Sequence, residues 1–289
     1  MIYEGDVYRP PSEADSLILQ LTIGCARNRC TFCTMYKDKA FRVRPIPEVL
    51  ADLEEAAREI PYPIRKVFLA DGDALIVKIP DLLTVLDRVF QLFPACRRVT
   101  TYGCALDVLG KSHEELCTLR AHGLEMVYLG AETGSDRILT QIKKGVTAAE
   151  TAQACQKLRA AGIKTSMTLI TGIGGVPRME ENAVESARLV TAARPEYLGL
   201  LTLTMNAGTE LTRDCLAGRF QALSPLQILE EQKIFLEHVD SEGTVLRSNH
   251  ISNYVALAGT LNRDRLPMIE QLARAIARGN LRPKQYRGL

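Results

Sequence analysis

Three thiols fall within a short stretch of the chain: Cys25, Cys30 and Cys33, in the segment TIGCARNRCTFCTMY. The thiolate is the metal-ligating form of cysteine, and three of them this close in sequence can reach one metal centre. Three thiolates on a four-iron cluster leave one iron without a protein ligand. Such an open position can bind a small molecule, as the open position of a catalytic zinc site does. Arg27, Arg29, Lys37, Lys39, Arg42 and Arg44 flank the triplet, and positive charge favours thiolate over thiol. A structural zinc site needs a fourth ligand, and the chain has no second Cys-x-x-Cys and no His-x-x-x-His. The remaining cysteines, Cys96, Cys104, Cys117, Cys155 and Cys215, are scattered. Core packing is their default explanation, with Cys104, just past an apolar run, the candidate for a functional thiol.

Other segments carry ligand chemistry of their own. In FLADGDAL, Asp71, Gly72 and Asp73 offer acceptors for a cation, although a plain turn also uses Asp-Gly-Asp. In LGAETGSDRIL, Glu132 precedes Ser135 and Asp136, either of which can cap a following helix. In ITGIGG, Gly172 and Gly174 let backbone approach a flat ligand such as adenine. The stretch Ser248–Tyr254 is dense in hydrogen-bonding groups. His250 and Asn253 are its candidate substrate contacts; a polar loop securing the C-terminal helix is the competing reading. Tyr102 and Thr202 are further candidates from strand ends.

These segments follow a rhythm. Short apolar, β-branched runs at 16–24, 66–71, 98–103, 124–130, 163–171 and 196–204 predict strands. Between them lie amphipathic patterns. PIPEVLADLEEAAREI puts Val49, Leu50, Leu53, Ala56, Ala57 and Ile60 on one face. Gly123 and Gly162 stop two of these helical runs in the manner of a C′ residue. Six alternating βα units predict a partial barrel or an open doubly wound sheet, with chemistry at the C-terminal ends of the strands. After residue 205 the rhythm breaks. A helix over 224–239 with Ser224 as N-cap, a mixed stretch at 244–257 and a last helix over 263–278 are expected.

Bulk properties narrow the class. The 36 basic and 34 acidic residues nearly balance at +2, which implies no strong nucleic-acid or membrane-surface field but leaves nucleic acid open as a partner. Arg274, Arg278, Arg282, Lys284 and Arg287 follow the last acid, Glu270. A solvated helix face and tail is the plainer reading, an anion or RNA contact the other. The first residues, MIYEGDVYRPPSEAD, lack the basic-then-apolar pattern of a signal peptide, and no stretch approaches a membrane span. A cytoplasmic protein with no membrane partner is expected. Eight cysteines in a reducing compartment argue for metal binding or burial over disulfides.

The cysteine triplet after a first strand, with the three strand-end segments in order behind it, resembles the radical S-adenosylmethionine (radical SAM) enzymes, distantly the oxygen-independent coproporphyrinogen oxidases and the Elongator-type catalytic subunit. The resemblance covers residues 16–211. It implies a partial (β/α)6 TIM-like barrel, preceded by an N-terminal segment at 1–15 and closed by a mainly helical extension at 212–289. It implies that Cys25, Cys30 and Cys33 ligate a [4Fe-4S] cluster, and that S-adenosyl-L-methionine binds its open iron. Phe32 matches the aromatic residue that precedes the third cysteine and lies near the adenine. Asp71-Gly72-Asp73 resembles a variant of the Gly-Gly-Glu motif that binds the methionyl ammonium. Glu132 matches the acid that touches ribose or amine, and Gly172 and Gly174 match the adenine turn. The implied activity is reductive cleavage to a 5′-deoxyadenosyl radical that takes hydrogen from a substrate the sequence does not name. A reductant such as flavodoxin or ferredoxin is the implied partner. The first gap holds four residues where the family usually has three, so cleavage of a different carbon–sulfur bond stays open. So does an iron–sulfur electron-transfer or zinc-binding module.

Overall fold

A computed structural model describes residues 1–283 and 285; Lys284 and Arg287 of the basic end lie outside the described residues. The chain forms two compact units, Met1–Asn28 with Met35–Leu129 and Lys157–Thr165, and Arg29–Thr34 with Gly130–Gln156 and Ser166–Leu289.

The first unit holds β1 (Leu17–Gln20), β2 (Thr22–Ile23), β3 (Arg42–Val43), α1 (Ile46–Glu59), β4 (Lys66–Ala70), α2 (Ile79–Leu92), β5 (Arg98–Gly103), α3 (Ala105–Leu109) and α4 (His113–Ala121). It also holds the first residues of β6 (Leu124–Glu132). The order β1-β4-β5-β6 is parallel throughout. Strands covered on both faces read as continuous apolar runs rather than alternating ones. Accordingly Val67, Phe68, Leu69 and Ala70 of β4 are all buried. On α1 the stripe Val49, Leu53 and Ala56 is buried, and α1 packs beside α2, whose Leu82, Val85, Leu86 and Val89 are buried. Burying each of these Leu and Val side chains contributes about 1.5–3 kcal/mol before entropy is counted. Gly123 follows α4 at φ +97°, the C′ position its sequence suggests.

The second unit continues with α5 (Asp136–Gln141), α6 (Ala148–Ala160), β7 (Lys164–Thr171), α7 (Met179–Ala193), β8 (Tyr197–Thr202), α8 (Glu210–Leu216), α9 (Pro225–His238), β9 (Val245–Arg247), β10 (Ala258–Thr260) and α10 (Arg265–Arg278). Strands β7, β8 and β9 are parallel, and β10 returns antiparallel to β9. In register, Thr171 lies beside Thr202, which places the two strand ends level. Ser224 caps α9 as its sequence predicts, accepting the Gln227 N–H, while the Gln227 side chain returns to the Ser224 N–H at 2.9 Å. Helix α9 packs against both α7 and α10. The fold is mixed α/β with a mostly parallel sheet, as the strand–helix alternation requires. Among the described residues no helix is long and apolar enough to cross a membrane.

Candidate cluster and cofactor site

The cysteine loop starts from a short ribbon. Directly beyond β1, β2 pairs antiparallel with β3, Thr22 with Val43 and Ile23 with Arg42, so the two arms of the loop are joined at its base. Three donors converge on the Oδ2 atom of Asp71, at the end of β4: the Gly24 N–H at 2.9 Å, the Gln20 amide at 3.1 Å and the Lys39 ammonium at 3.0 Å. Asp71 thus ties the first arm of the loop, the second arm and β1 to one strand end. Gly72 completes the clamp. Its N–H donates to the Gly24 carbonyl at 3.1 Å. A Cβ there would stand 2.9 Å from the Cβ of Cys25 and 2.7 Å from the Tyr36 ring, so only glycine allows the approach.

Asp73 is different. Its carboxyl is 1% exposed, and neither oxygen receives a hydrogen bond of good geometry. Burial, and then the neighbouring Asp107 carboxyl, push it up to about 8 against the pull of Arg27. Arg27, inside the cysteine loop, donates to Asp107 Oδ1 at 3.3 Å, and Asp107 Oδ2 accepts the Cys104 N–H at 3.1 Å. Cys104 is half-buried and caps α3 where β5 ends.

Four of the flanking bases also hold structure. Lys39 is on Asp71, Arg42 on Glu4, Arg44 on Asp52 and the Gln20 carbonyl, and Lys37 on the Asn28 carbonyl.

Residues 29–34 belong to the second unit, where the Thr31 N–H donates to the Ile142 carbonyl and the Thr31 carbonyl accepts the Leu211 N–H, both at 3.0 Å. Phe32 packs against a buried cluster of Ile138, Leu139, Ile142, Ile173, Leu211 and Phe220. Glu132 ends β6 with φ +66°, a conformation that costs a side-chain-bearing residue of order 1–3 kcal/mol and recurs at functional sites. Its carboxylate is 8% exposed and accepts the Lys144 ammonium at 2.6 Å. Ser135, not Asp136, caps α5. The turn after β7 is closed by the Gly175 N–H on the Gly172 carbonyl at 3.1 Å, with Gly174 between them. Gly172 has φ +88°, and a Cβ on it would stand 2.7 Å from Ile228 of α9.

The substrate candidates occupy unlike surroundings. Tyr102 stacks edge-on to Phe68 at 5.0 Å and to Tyr128 at 6.0 Å, and burial raises its hydroxyl pKa. His250 is half-buried with its Nδ1 on Ser252, and burial, then Arg282, holds the imidazole below its ordinary value. Asn253 is fully buried. Its amide accepts the Thr202 hydroxyl at 2.8 Å and donates to the Leu200 carbonyl at 2.7 Å and to Ser248 at 3.0 Å.

Three residues could have been found from sequence. Asp107, three residues past Cys104, has the spacing of a capping box. Glu231 and Gln232 fall on the stripe Ile228, Glu231, Gln232, Phe235, polar residues where helical periodicity requires apolar ones. Gln20, Lys39 and Lys144 had no such signal.

Cys25, Cys30 and Cys33 are half-buried. Among the described residues no three His, Cys, Asp or Glu side chains surround a common metal point. The donor set still suits a cluster: three thiols on one loop, no competing fourth ligand, and a clamped start to the loop.

The chain belongs to the radical SAM superfamily, whose family model matches residues 19–187, more than half its length. It is a radical SAM enzyme, and the superfamily's cofactors are a [4Fe-4S] cluster and S-adenosyl-L-methionine. A tRNA-2-methylthio-N(6)-dimethylallyladenosine synthase of Pseudomonas savastanoi pv. phaseolicola is 29% identical over 177 residues, 57% of this chain. The chain spans only 39% of that relative's length. Elp3 of Methanocaldococcus infernus superposes with TM-score 0.53 at 17% identity, over 81% of this chain and 58% of that one. Coproporphyrinogen III oxidase (HemN) of Escherichia coli superposes with TM-score 0.55 at 15% identity, over 77% of this chain and 52% of that one. At such identities the two structures show the fold, and they agree with the families the motifs resemble.

Proposed function

We propose that the chain reductively cleaves S-adenosyl-L-methionine and uses the product to take hydrogen from a nucleoside of tRNA. The single observation that carries the cofactor reading is Asp73: a buried carboxyl neither of whose oxygens receives a hydrogen bond of good geometry, two residues past an aspartate whose Oδ2 accepts three. A buried acid short of hydrogen bonds is costly unless a ligand completes it, and a bound ammonium would add to the pull of Arg27 towards the ionised form. Sequence likeness to tRNA-modifying relatives supports the substrate class.

When bound, the cluster and S-adenosyl-L-methionine supply one-electron cleavage of a carbon–sulfur bond, with the electron from a reductant such as flavodoxin or ferredoxin. The chain's residues do the rest. Cys25, Cys30 and Cys33 would hold the cluster, and Asp71 with Gly72 keeps the start of their loop in place. In the first unit Asp73 would take the methionyl ammonium. In the second unit Glu132 would accept from ribose or amine, Phe32 would lie by the adenine, and the Gly172–Gly175 turn would offer it backbone. His250 and Tyr102 remain the proposed substrate contacts, while Asn253, with its amide used on Thr202, Leu200 and Ser248, would serve by holding the end of β8. Residues 16–211 would carry the cofactor chemistry and 212–289 the closing extension.

The test is anaerobic incubation of reconstituted protein with dithionite and S-adenosyl-L-methionine, with the nucleoside identified by mass. 5′-Deoxyadenosine is expected. 5′-Methylthioadenosine would mean that another carbon–sulfur bond breaks. Iron without cleavage would leave an electron-transfer module, and air-stable zinc without iron a binding module.

A further inference from the structure

Beneath the Gly172 turn lies a buried acid with no assigned role. Glu231 projects from α9 and is 2% exposed. Its Oε1 accepts the Gly172 N–H at 2.8 Å and the Asn182 amide at 2.7 Å. Asn182, on α7, also donates to the Ile170 carbonyl at 3.3 Å, one residue before β7 ends. One carboxyl oxygen therefore joins α9, α7 and the turn. Helix α9 is also what presses on Gly172, through Ile228.

The second oxygen, Oε2, has no protein partner, and neither does Oε1 of Gln232, the next residue on the helix. The Gln232 amide nitrogen is used on the Thr171 hydroxyl at 3.4 Å. Both orphaned oxygens belong to residues lining a cavity of about 20 Å³, together with Thr171, Asn182 and Ser186. A cavity of about 10–15 Å³ is enough for one water if two or more polar partners face it. Burial keeps the Glu231 carboxyl protonated near neutral pH, and with Oε1 accepting two N–H groups the proton sits on Oε2, so a water can accept it and donate to Gln232 Oε1.

We infer that Glu231 is a positioning residue for cofactor binding: it fixes the Gly172 turn through the Gly172 N–H, and one buried water joins its other oxygen to Gln232. The inference rests on the reading that this turn offers backbone to adenine. The geometry explains why a charged residue sits on an apolar stripe. A turn N–H facing the interior needs a buried acceptor, and no backbone carbonyl of the second unit is recorded on it. With Glu231 holding that N–H inward, the rest of the turn keeps one shape before any ligand arrives, and less ordering remains for binding to drive.

The experiment uses the reconstituted full chain and three variants. Glu231→Gln keeps an acceptor of the same shape. Glu231→Leu removes it. Leu236→Ala, a fully buried truncation on the same helix, weakens the fold without touching Gly172. Binding of S-adenosylhomocysteine is read by calorimetry, and backbone exchange at residues 171–175 by hydrogen–deuterium exchange. We expect Glu231→Leu to weaken binding about tenfold or more, to raise KM for S-adenosyl-L-methionine more than it lowers kcat, and to speed exchange at 171–175. Glu231→Gln should stay within about threefold of the parent, and Leu236→Ala should not single out that segment. Equal exchange at 171–175 in Glu231→Leu and Leu236→Ala, at matched stability, would overturn the inference. If the parent chain binds no S-adenosylhomocysteine, the cofactor reading fails instead, and the exchange data still decide whether Glu231 holds the turn. A crystal structure of the parent with that cavity dry would remove the water.

Discussion

The ends of β4 and β8 are built from similar polar residues and treat them in opposite ways. At β8, Thr202 and Asn253 satisfy each other, and Leu200 and Ser248 take the remaining amide donors. At β4, Asp71 gathers three donors on its Oδ2 while neither oxygen of Asp73 receives a hydrogen bond of good geometry. Polar residues that find each other hold a fold together. A buried polar residue left without a partner marks a place where the fold is incomplete alone. Burial by itself does not separate the two cases, because Asp71, Asp73 and Asn253 are all buried.

The largest effect should come from the triplet. Cys25→Ala is expected to abolish iron retention and S-adenosyl-L-methionine cleavage together, read by iron analysis and nucleoside mass. If iron and cleavage both survive, the ligand assignment is wrong.

Next comes the contrast within β4. Asp71→Ala leaves the Lys39 ammonium buried without its carboxylate, a type of change that costs about 3–5 kcal/mol. Urea unfolding should show that loss. Asp73→Asn should leave stability intact and weaken S-adenosylhomocysteine binding by about 10–100-fold. Reversed outcomes would exchange the roles of the two aspartates.

Asn253→Ala should cost about 1–3 kcal/mol, since three hydrogen bonds of a fully buried amide are lost. The melting temperature should fall while binding of S-adenosylhomocysteine stays near that of the parent. A binding loss as large as that of Asp73→Asn would erase the distinction between the two strand ends.

The smallest effect is one of pH. Burial raises the Glu231 carboxyl to about 8 from the usual 4.5, against the opposing pull of the Gly172 N–H and the Asn182 amide. A carboxyl whose folded value is raised stabilises the fold below its unfolded value and loses that contribution as pH climbs through the folded one. Stability relative to Glu231→Gln should therefore decline between about pH 4.5 and 8. Urea midpoints at pH 6 and pH 9 would show it; a gap that does not change means that Glu231 titrates normally.

Much of the molecule was legible in its residues. The βα rhythm located β4, β5, β6, β7 and β8, because short apolar, β-branched runs between amphipathic ones mark parallel βα units. Ser224, Pro225 and Gln227 announced the start of α9, because capping is a local hydrogen-bond problem. Short α3 and α8 escaped, since one or two helical turns have little periodicity and depend on tertiary packing. The same limit applied at the site. Cysteine spacing and the glycine turn are properties of adjacent residues, so the sequence alone determined which segments could hold a cluster and a nucleoside. Which aspartate of Asp71-Gly72-Asp73 is a clamp and which is left open depended on Lys39, Gln20 and Gly24 arriving from elsewhere in the chain. Which glycine N–H Glu231 would take depended on α9 crossing the end of β7. Only the tertiary structure decided those pairings, because a buried polar atom is completed by whatever the fold brings to it, and distance along the chain carries no record of that.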